Sequence, residues 1–142
     1  MGATWGIGTL LLLLLNGVML GAVAADYVLA GETVFLVGWL LPHGSVEIPA
    51  ILVAGQAGLL FAAGLIGVGR SAPLRDRMRE IAPDLVTLIF GTAVLLAWAG
   101  FVEAFLSQYH EPALPYAIKI AFGVVEVVLL TCFLVFSGRK RT

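Results

Sequence analysis

Residues 4–25, with the sequence TWGIGTLLLLLLNGVMLGAVAA, contain no charged side chain. A helix rises about 1.5 Å per residue, so this stretch can cross the hydrocarbon core of a bilayer, which takes about 20 residues. It lacks a basic leading segment and a small-residue cleavage site, so we expect a retained helix and not a signal peptide. The stretch therefore predicts a membrane-spanning helix.

The rest of the chain has the same apolar character. Of its 142 residues, 61% are hydrophobic and only 12% are charged, which is far from the balance of a soluble domain. Three further stretches are long and apolar enough to span a membrane, at about residues 46–68, 84–107 and 114–136. We therefore predict an all-α, polytopic bundle of four spanning helices, which forms a single transmembrane domain over residues 1–142 in the lipid bilayer.

Charge and cysteine content exclude several function classes. The formal net charge is -1, and the few charged residues are clustered, so we expect no nucleic-acid partner. Cys132 is the single cysteine of the chain. One cysteine can build neither a disulfide framework nor a thiolate metal cluster within one chain.

A fifth apolar segment, at about residues 33–42, is too short to span. It ends at Pro42-His43-Gly44, and a proline inside a helix removes a backbone donor and clashes with the preceding turn. We therefore expect a short half-helix or re-entrant segment. Broken backbone at membrane depth must be buried in protein or lie at the interface.

The basic residues predict the orientation of the chain. They follow the second and the fourth span: Arg70, Arg75, Arg77 and Arg79, and then Arg139, Lys140 and Arg141. Loops rich in lysine and arginine stay in the cytoplasm. With an even number of spans, both termini are then cytoplasmic and the protein lies in the cell membrane. Residues 73–81 place Leu74, Met78 and Ile81 at helical spacing, which predicts either a short amphipathic helix or a solvated basic connector.

Small residues recur at helical contact spacing in two of the predicted spans. They are Gly17, Gly21 and Ala25 in the first span and Ala50, Ala54, Gly58 and Ala62 in the second. Such stripes allow two helix backbones to approach closely. We therefore predict that these two helices pack together, or that the stripes mediate contact with another membrane protein.

A polar residue inside a span needs a hydrogen-bond partner or a function, because lipid supplies no hydrogen-bond partner. Asn16 and Gln56 are uncharged amides, for which hydrogen bonds between helices are the favoured interpretation. Glu126 lies near the middle of the fourth span. Lys119 is a candidate partner two turns away, and an ion or proton pathway through Glu103 and Glu126 is the alternative.

His43, Glu47 and Glu103 form the densest predicted constellation. In the predicted topology all three lie near the outer surface, where they can converge. One interpretation is a hydrogen-bonded clamp that locks the broken segment to the third helix. The other is a site for zinc or another divalent ion that activates a water for hydrolysis, although no paired-histidine motif accompanies it. We favour the clamp, so zinc or another divalent ion is the alternative and not a predicted cofactor.

Four stretches carry a family resemblance: NGVMLG at 16–21, LLPHGSVEIPA at 40–50, AGQAG at 54–58 and GFVEAFLS at 100–107. Together they resemble the stage II sporulation protein M family, over nearly the whole chain. The most specific element is the Pro42-His43-Gly44 core with Glu47 and a later Glu103. Members carry a further upstream apolar segment with paired asparagines, so we expect this chain to be a short or truncated form.

The resemblance implies a membrane component that works with cell-wall hydrolases and acts as a scaffold for them. The leading hypothesis is therefore a non-enzymatic membrane scaffold or assembly subunit, in a homo-oligomer or with other membrane proteins. Two alternatives remain from other classes. One is a membrane-embedded metal-dependent hydrolase that uses His43, Glu47 and Glu103, and the other is an oligomeric transporter or channel.

Overall fold

The structure is a computed structural model that describes residues 4–67, 71–109 and 113–137. In these residues the chain is all-helical, with α1 at Ile7–Leu29, α2 at Thr33–Ile66, α3 at Leu74–Val102 and α4 at Tyr116–Ser137. α3 continues into a π-helical turn over Glu103–Ser107. All four long helices have the length and apolar composition needed to cross a membrane, so the predicted all-α, polytopic fold is confirmed.

α1 and α2 are joined by a tight turn centred on Gly31. Glu32 N–H donates to the Tyr27 carbonyl over 2.9 Å and Gly31 N–H donates to the Val28 carbonyl over 3.1 Å. This pair of bonds is the Schellman motif, which needs a left-handed residue at its centre. Gly31 supplies it with φ +79°, so α1 ends here and not at the predicted residue 25.

The predicted half-helix at residues 33–42 is wrong, because α2 runs unbroken from Thr33 to Ile66. Pro42 and Pro49 both lie inside it. A proline costs one helical hydrogen bond, but any non-helical path would leave several backbone groups without partners in lipid. Continuing the helix is therefore the cheaper solution. Pro42 is fully buried, so packing from neighbouring residues also holds this part of α2 in place.

α3 begins before the predicted third span and includes the connector. Residues 74–83 form its first turns, and Pro83 lies within the helix. Ile81 is buried and Met78 is half-buried, whereas Leu74 is exposed. Of the two alternatives that the helical spacing predicts, the segment is helical, but it continues directly into the span and is not a separate surface helix.

The described residues fall into two compact units that share α1, α2 and α3. Unit 1 comprises Met1–Val23 and Pro49–Val94, and unit 2 comprises Ala24–Ile48 and Leu95–Thr142. Pro49 therefore stands where α2 passes from one unit to the other. That the whole chain forms a single domain stays a prediction.

Unit 1 is built on close contact between α1 and α2. A Cβ added at Gly58 would lie 2.5 Å from Oγ1 of Thr9, and one at Gly55 would lie 2.9 Å from a methyl group of Leu13. A Cβ on Gly6 would reach the Cβ of Ala62 at 3.4 Å. Small residues on α2 thus let the side chains of α1 approach its backbone.

The end of α2 in unit 1 is held by Arg77. Its Nε donates to the Gly64 carbonyl and its Nη2 to the Leu65 carbonyl, both over 3.0 Å, while Nη1 donates to the Ala72 carbonyl over 2.9 Å. The last carbonyls of a helix have no partner within it and carry partial negative charge. The guanidinium group therefore satisfies the end of α2. Gly67, with φ +68°, completes this cap.

Unit 2 is built on close contact between α2 and α4. A Cβ on Gly123 would lie 2.8 Å from the backbone carbon and 2.9 Å from the carbonyl oxygen of Leu41. Earlier in both helices, a Cβ on Gly38 would lie 2.8 Å from the ring of Tyr116. The later residue of α2, Leu41, contacts the later residue of α4, Gly123. The two helices therefore run parallel in unit 2.

Candidate functional site

Glu126 is the centre of a polar cluster in unit 2. Its side chain is only 8% exposed. Trp98 Nε1 donates a hydrogen bond to its Oε1 over 2.6 Å, and Ser45 Oγ donates to its Oε2 over 3.1 Å. We call Glu126, Trp98 and Ser45 the carboxylate centre. It joins three helices at one point, because the residues come from α4, α3 and α2.

The helix contacts of unit 2 explain why Glu126 meets Ser45. Gly123 lets α4 touch the α2 backbone at Leu41. Since the two helices are parallel, moving about one turn along each brings Glu126 opposite Ser45. Ser45 Oγ also lies 3.2 Å from the Pro42 carbonyl, so its single O–H proton has two acceptors, this carbonyl and Glu126. Because Gly123 has no side chain, α4 lies close enough to α2 for the Glu126 carboxylate to reach Ser45.

A groove of about 390 Å³ opens beside the carboxylate centre. Its lining residues are apolar apart from Glu126 and the indole of Trp98, and comprise Val46, Leu95, Trp98, Phe122, Val125, Glu126, Leu129, Leu130 and Phe133. The groove is open along the side of the bundle and is almost entirely apolar. The lining offers a hydrated ion few polar contacts, so it does not favour a transport pathway.

His43, Glu47 and Glu103 occupy three different environments. His43 is buried, and its ring packs against Trp39 edge to face at 5.5 Å between centroids. Glu47 is half-buried, and Glu103 is exposed at the start of the π-helical turn. In the part of the chain that the structure describes, no group of three or more His, Cys, Asp or Glu side chains is placed to hold a metal ion.

Lys119 is fully buried in the first turns of α4. Its Nζ lies 5.9 Å from the centre of the Tyr116 ring, in a cation–π contact. Tyr116 in turn packs edge to face on Phe35 at 6.0 Å, and Phe35 stacks on Tyr27 at 5.2 Å. The lysine therefore lies beside an aromatic cluster that ties the start of α4 to the α1–α2 turn.

The two uncharged amides of the predicted spans are exposed. Asn16 Nδ2 donates to the Leu12 carbonyl of its own helix over 2.8 Å, and Gln56 is exposed on α2. Among the predicted small residues, Ala50 and Ala62 are buried and Ala54 and Ala25 are exposed. A Cβ on Gly17 or Gly21 would meet nothing within 4 Å. The face of α1 that touches α2 is therefore the one with Thr9 and Leu13.

The basic residues of the predicted cytoplasmic loop have different roles. Arg75 and Arg79 are exposed on the first turns of α3, but Arg77 is half-buried against the end of α2. Arg70 and the basic residues after the fourth span, Arg139, Lys140 and Arg141, lie outside the described residues.

Glu126 is recognisable in the sequence as a carboxylate inside a span, but neither of its hydrogen-bond donors is among the predicted site residues. Trp98 carried a usable signal, because tryptophan prefers the interface region of a membrane and this one lies in the interior of a span. An indole N–H at that depth needs an acceptor. Ser45 carried no such signal, because serine is common near helix starts and the predicted break at Pro42 placed it in a loop.

A family model described as stage II sporulation protein M matches residues 1–108. This match covers well over half of the chain. The chain belongs to the stage II sporulation protein M family. Comparisons with curated proteins and with solved structures give no match. The resemblance predicted from the four motifs is thereby confirmed over residues 1–108.

The part of the chain that matches the stage II sporulation protein M family contains α1, α2, α3 and the π-helical turn. Ser45 and Trp98 lie within it, whereas Glu126 follows it. This family member therefore assembles its carboxylate centre from two residues inside the matched region and one outside. The described residues, including those of α4, contain four apolar helices long enough to cross a membrane, as in a multi-pass membrane protein.

Proposed function

We propose that this protein is a non-enzymatic scaffold or assembly subunit of a membrane protein complex. It lies in the cell membrane with both termini in the cytoplasm. Membership of the stage II sporulation protein M family and four apolar helices support this proposal. The described residues are almost all helical, so little of the described chain is available for an extramembrane catalytic domain.

The observation that carries the proposal is the exposure of α1. Thr9 is its one buried residue among Ile7–Leu29, and large apolar side chains cover the remaining faces. Apart from its contact with α2, α1 therefore leaves most of its apolar surface uncovered by its own chain. Contact with another protein would give α1 a packing role, and helix association in membranes depends on such packing.

The distribution of charge supports the proposed orientation. Arg75 and Arg79 are exposed on the first turns of α3, and three further basic residues follow α4 in the sequence. Both segments lie on the same side of the membrane when each of the four helices crosses once. Positively charged loops are retained in the cytoplasm, which supports a cytoplasmic position for both termini.

Mild-detergent extraction of the affinity-tagged full chain from its membrane tests this proposal. The expected result is a complex larger than the monomer, either with further copies of the chain or with a stoichiometric membrane protein identified by mass spectrometry. Recovery of a stable monomer alone, at protein levels near those of the native membrane, would contradict the assembly role.

A further inference from the structure

The groove beside the carboxylate centre is shaped for an extended apolar partner. Its α4 wall consists of Phe122, Val125, Glu126, Leu129, Leu130 and Phe133, which recur at intervals of three and four residues along one face of the helix. These residues cover about three turns, or roughly 16 Å of helix. A surface of this length fits the side-chain stripe of another helix better than a compact ligand.

Glu126 gives this groove a polar requirement. Its carboxylate already accepts hydrogen bonds from Trp98 and Ser45, but a carboxylate has about four acceptor positions. It lies near the middle of α4, at a depth where lipid supplies no donor. The complementary partner is therefore a membrane helix that carries a neutral hydrogen-bond donor halfway along an otherwise apolar face.

α1 of the same protein has this combination. Asn16 lies near the middle of Ile7–Leu29, on the helix face that continues from Thr9 and Leu13, and unlike Thr9 it is exposed. Leu12, Met19 and Val23 lie on the same face at intervals of three and four residues, and all three are exposed. The Asn16 amide carries two N–H groups, of which one donates to the Leu12 carbonyl.

We propose that α1 of a second copy of this chain docks in the groove, where Asn16 Nδ2 donates a hydrogen bond to Glu126. This inference rests on the proposed assembly role and names the partner. α1 and α4 are the first and last of four spans, so they cross the membrane in opposite directions. With Asn16 opposite Glu126, Leu12 lies near Leu129 and Met19 lies near Phe122 of the other copy.

Cysteine cross-linking between two differently tagged full-length copies tests the docking. Both copies carry Cys132→Ser, which removes the single native thiol. One copy carries Leu12→Cys and the other carries Leu129→Cys, and the membranes are oxidised before detergent is added. Leu14→Cys replaces Leu12→Cys in the control, because Leu14 is 62% exposed on the other side of α1. Met19→Cys with Phe122→Cys is a second pair, in case the first pair impairs folding.

Docking predicts a disulfide-linked dimer of the two tagged copies. Its yield should be at least about tenfold higher with Leu12→Cys than with Leu14→Cys. Adding Asn16→Leu to the Leu12→Cys copy lowers this yield by about threefold, as expected for one hydrogen bond between membrane helices. Gln56→Leu removes another exposed amide and leaves the yield unchanged.

Two results would overturn the docking, and they differ in what they imply for the assembly role. If both cysteine pairs match the Leu14→Cys control while the two tags still co-purify, then lipid or another protein covers the groove and the assembly role survives. If the tags neither co-purify nor cross-link and no other protein is recovered, both the docking and the assembly role fail.

Discussion

Trp98 Nε1 and Glu126 Oε1 are 2.6 Å apart, and the hydrogen bond between them joins α3 to α4. A carboxylate inside a membrane span is costly unless donors surround it. Trp98 and Ser45 supply those donors from two other helices, so the same residue that would destabilise an isolated span fixes three helices together. The carboxylate centre therefore holds α2, α3 and α4 together and also supplies the polar group of the groove.

Trp98→Phe should destabilise the protein by about 1–3 kcal/mol, because it removes a donor from a buried carboxylate while keeping an aromatic ring. Thermal or denaturant unfolding of the full chain in detergent measures the change. Trp5→Phe is the matched control, since Trp5 is 69% exposed and its replacement should have little effect. In a Glu126→Leu background the cost of Trp98→Phe should largely disappear. An equal cost in both backgrounds would show that packing, and not the hydrogen bond, is responsible.

Gly123→Ala should lower stability by about 1–3 kcal/mol, which is typical of overpacking in a well-packed region. The new methyl group would lie within 2.9 Å of the Leu41 backbone, and backbone cannot move aside as a flexible side chain can. Gly91→Ala is the control, because a Cβ there meets nothing within 4 Å. The melting temperatures of the two variants should therefore differ clearly. Equal melting temperatures would argue against close contact between α2 and α4.

Arg77→Ala should weaken the end of α2, because it removes three hydrogen bonds to backbone carbonyls. We expect a loss of about 1.5–3 kcal/mol, as for hydrogen bonds to a charged group, together with faster proteolysis between α2 and α3. Arg79→Ala removes the same charge from an exposed position and should leave both measurements near those of the parent. Equal effects of the two substitutions would indicate that charge alone matters.

Ser71→Cys in a Cys132→Ser background reports the side of the membrane on which the α2–α3 connector lies. Ser71 is exposed in this connector. A membrane-impermeant thiol reagent should fail to label it in intact cells and should label it in inverted vesicles. Labelling in intact cells would reverse the proposed orientation of both termini.

The fold could be predicted from the sequence because lipid imposes a simple rule of length and apolarity on each span. The stretch at residues 4–25 and Glu126 in the fourth span were both recognisable for this reason. The absence of hydrogen-bond partners in lipid also explains why the helix break predicted at Pro42 is wrong. Proline is a reliable end to a helix in water, but in lipid the alternative to helix leaves more backbone groups without partners.

The carboxylate centre could be predicted only in part, because its partners are set by packing and not by spacing. Glu126 lies opposite Ser45 only because Gly123 lets α4 approach Leu41 so closely. Arg77 shows the same limit. Its position in a basic loop predicts a solvated charge, whereas its three carbonyl partners come from the end of α2 and from Ala72.

The most direct test of the assembly role is native mass spectrometry of the full chain ejected from membrane vesicles, without prior detergent extraction. The assembly role predicts several copies of the 15.0 kDa chain in one complex, or that chain with a stoichiometric membrane protein. A spectrum that contains only the bare monomer, with or without lipid, would contradict it.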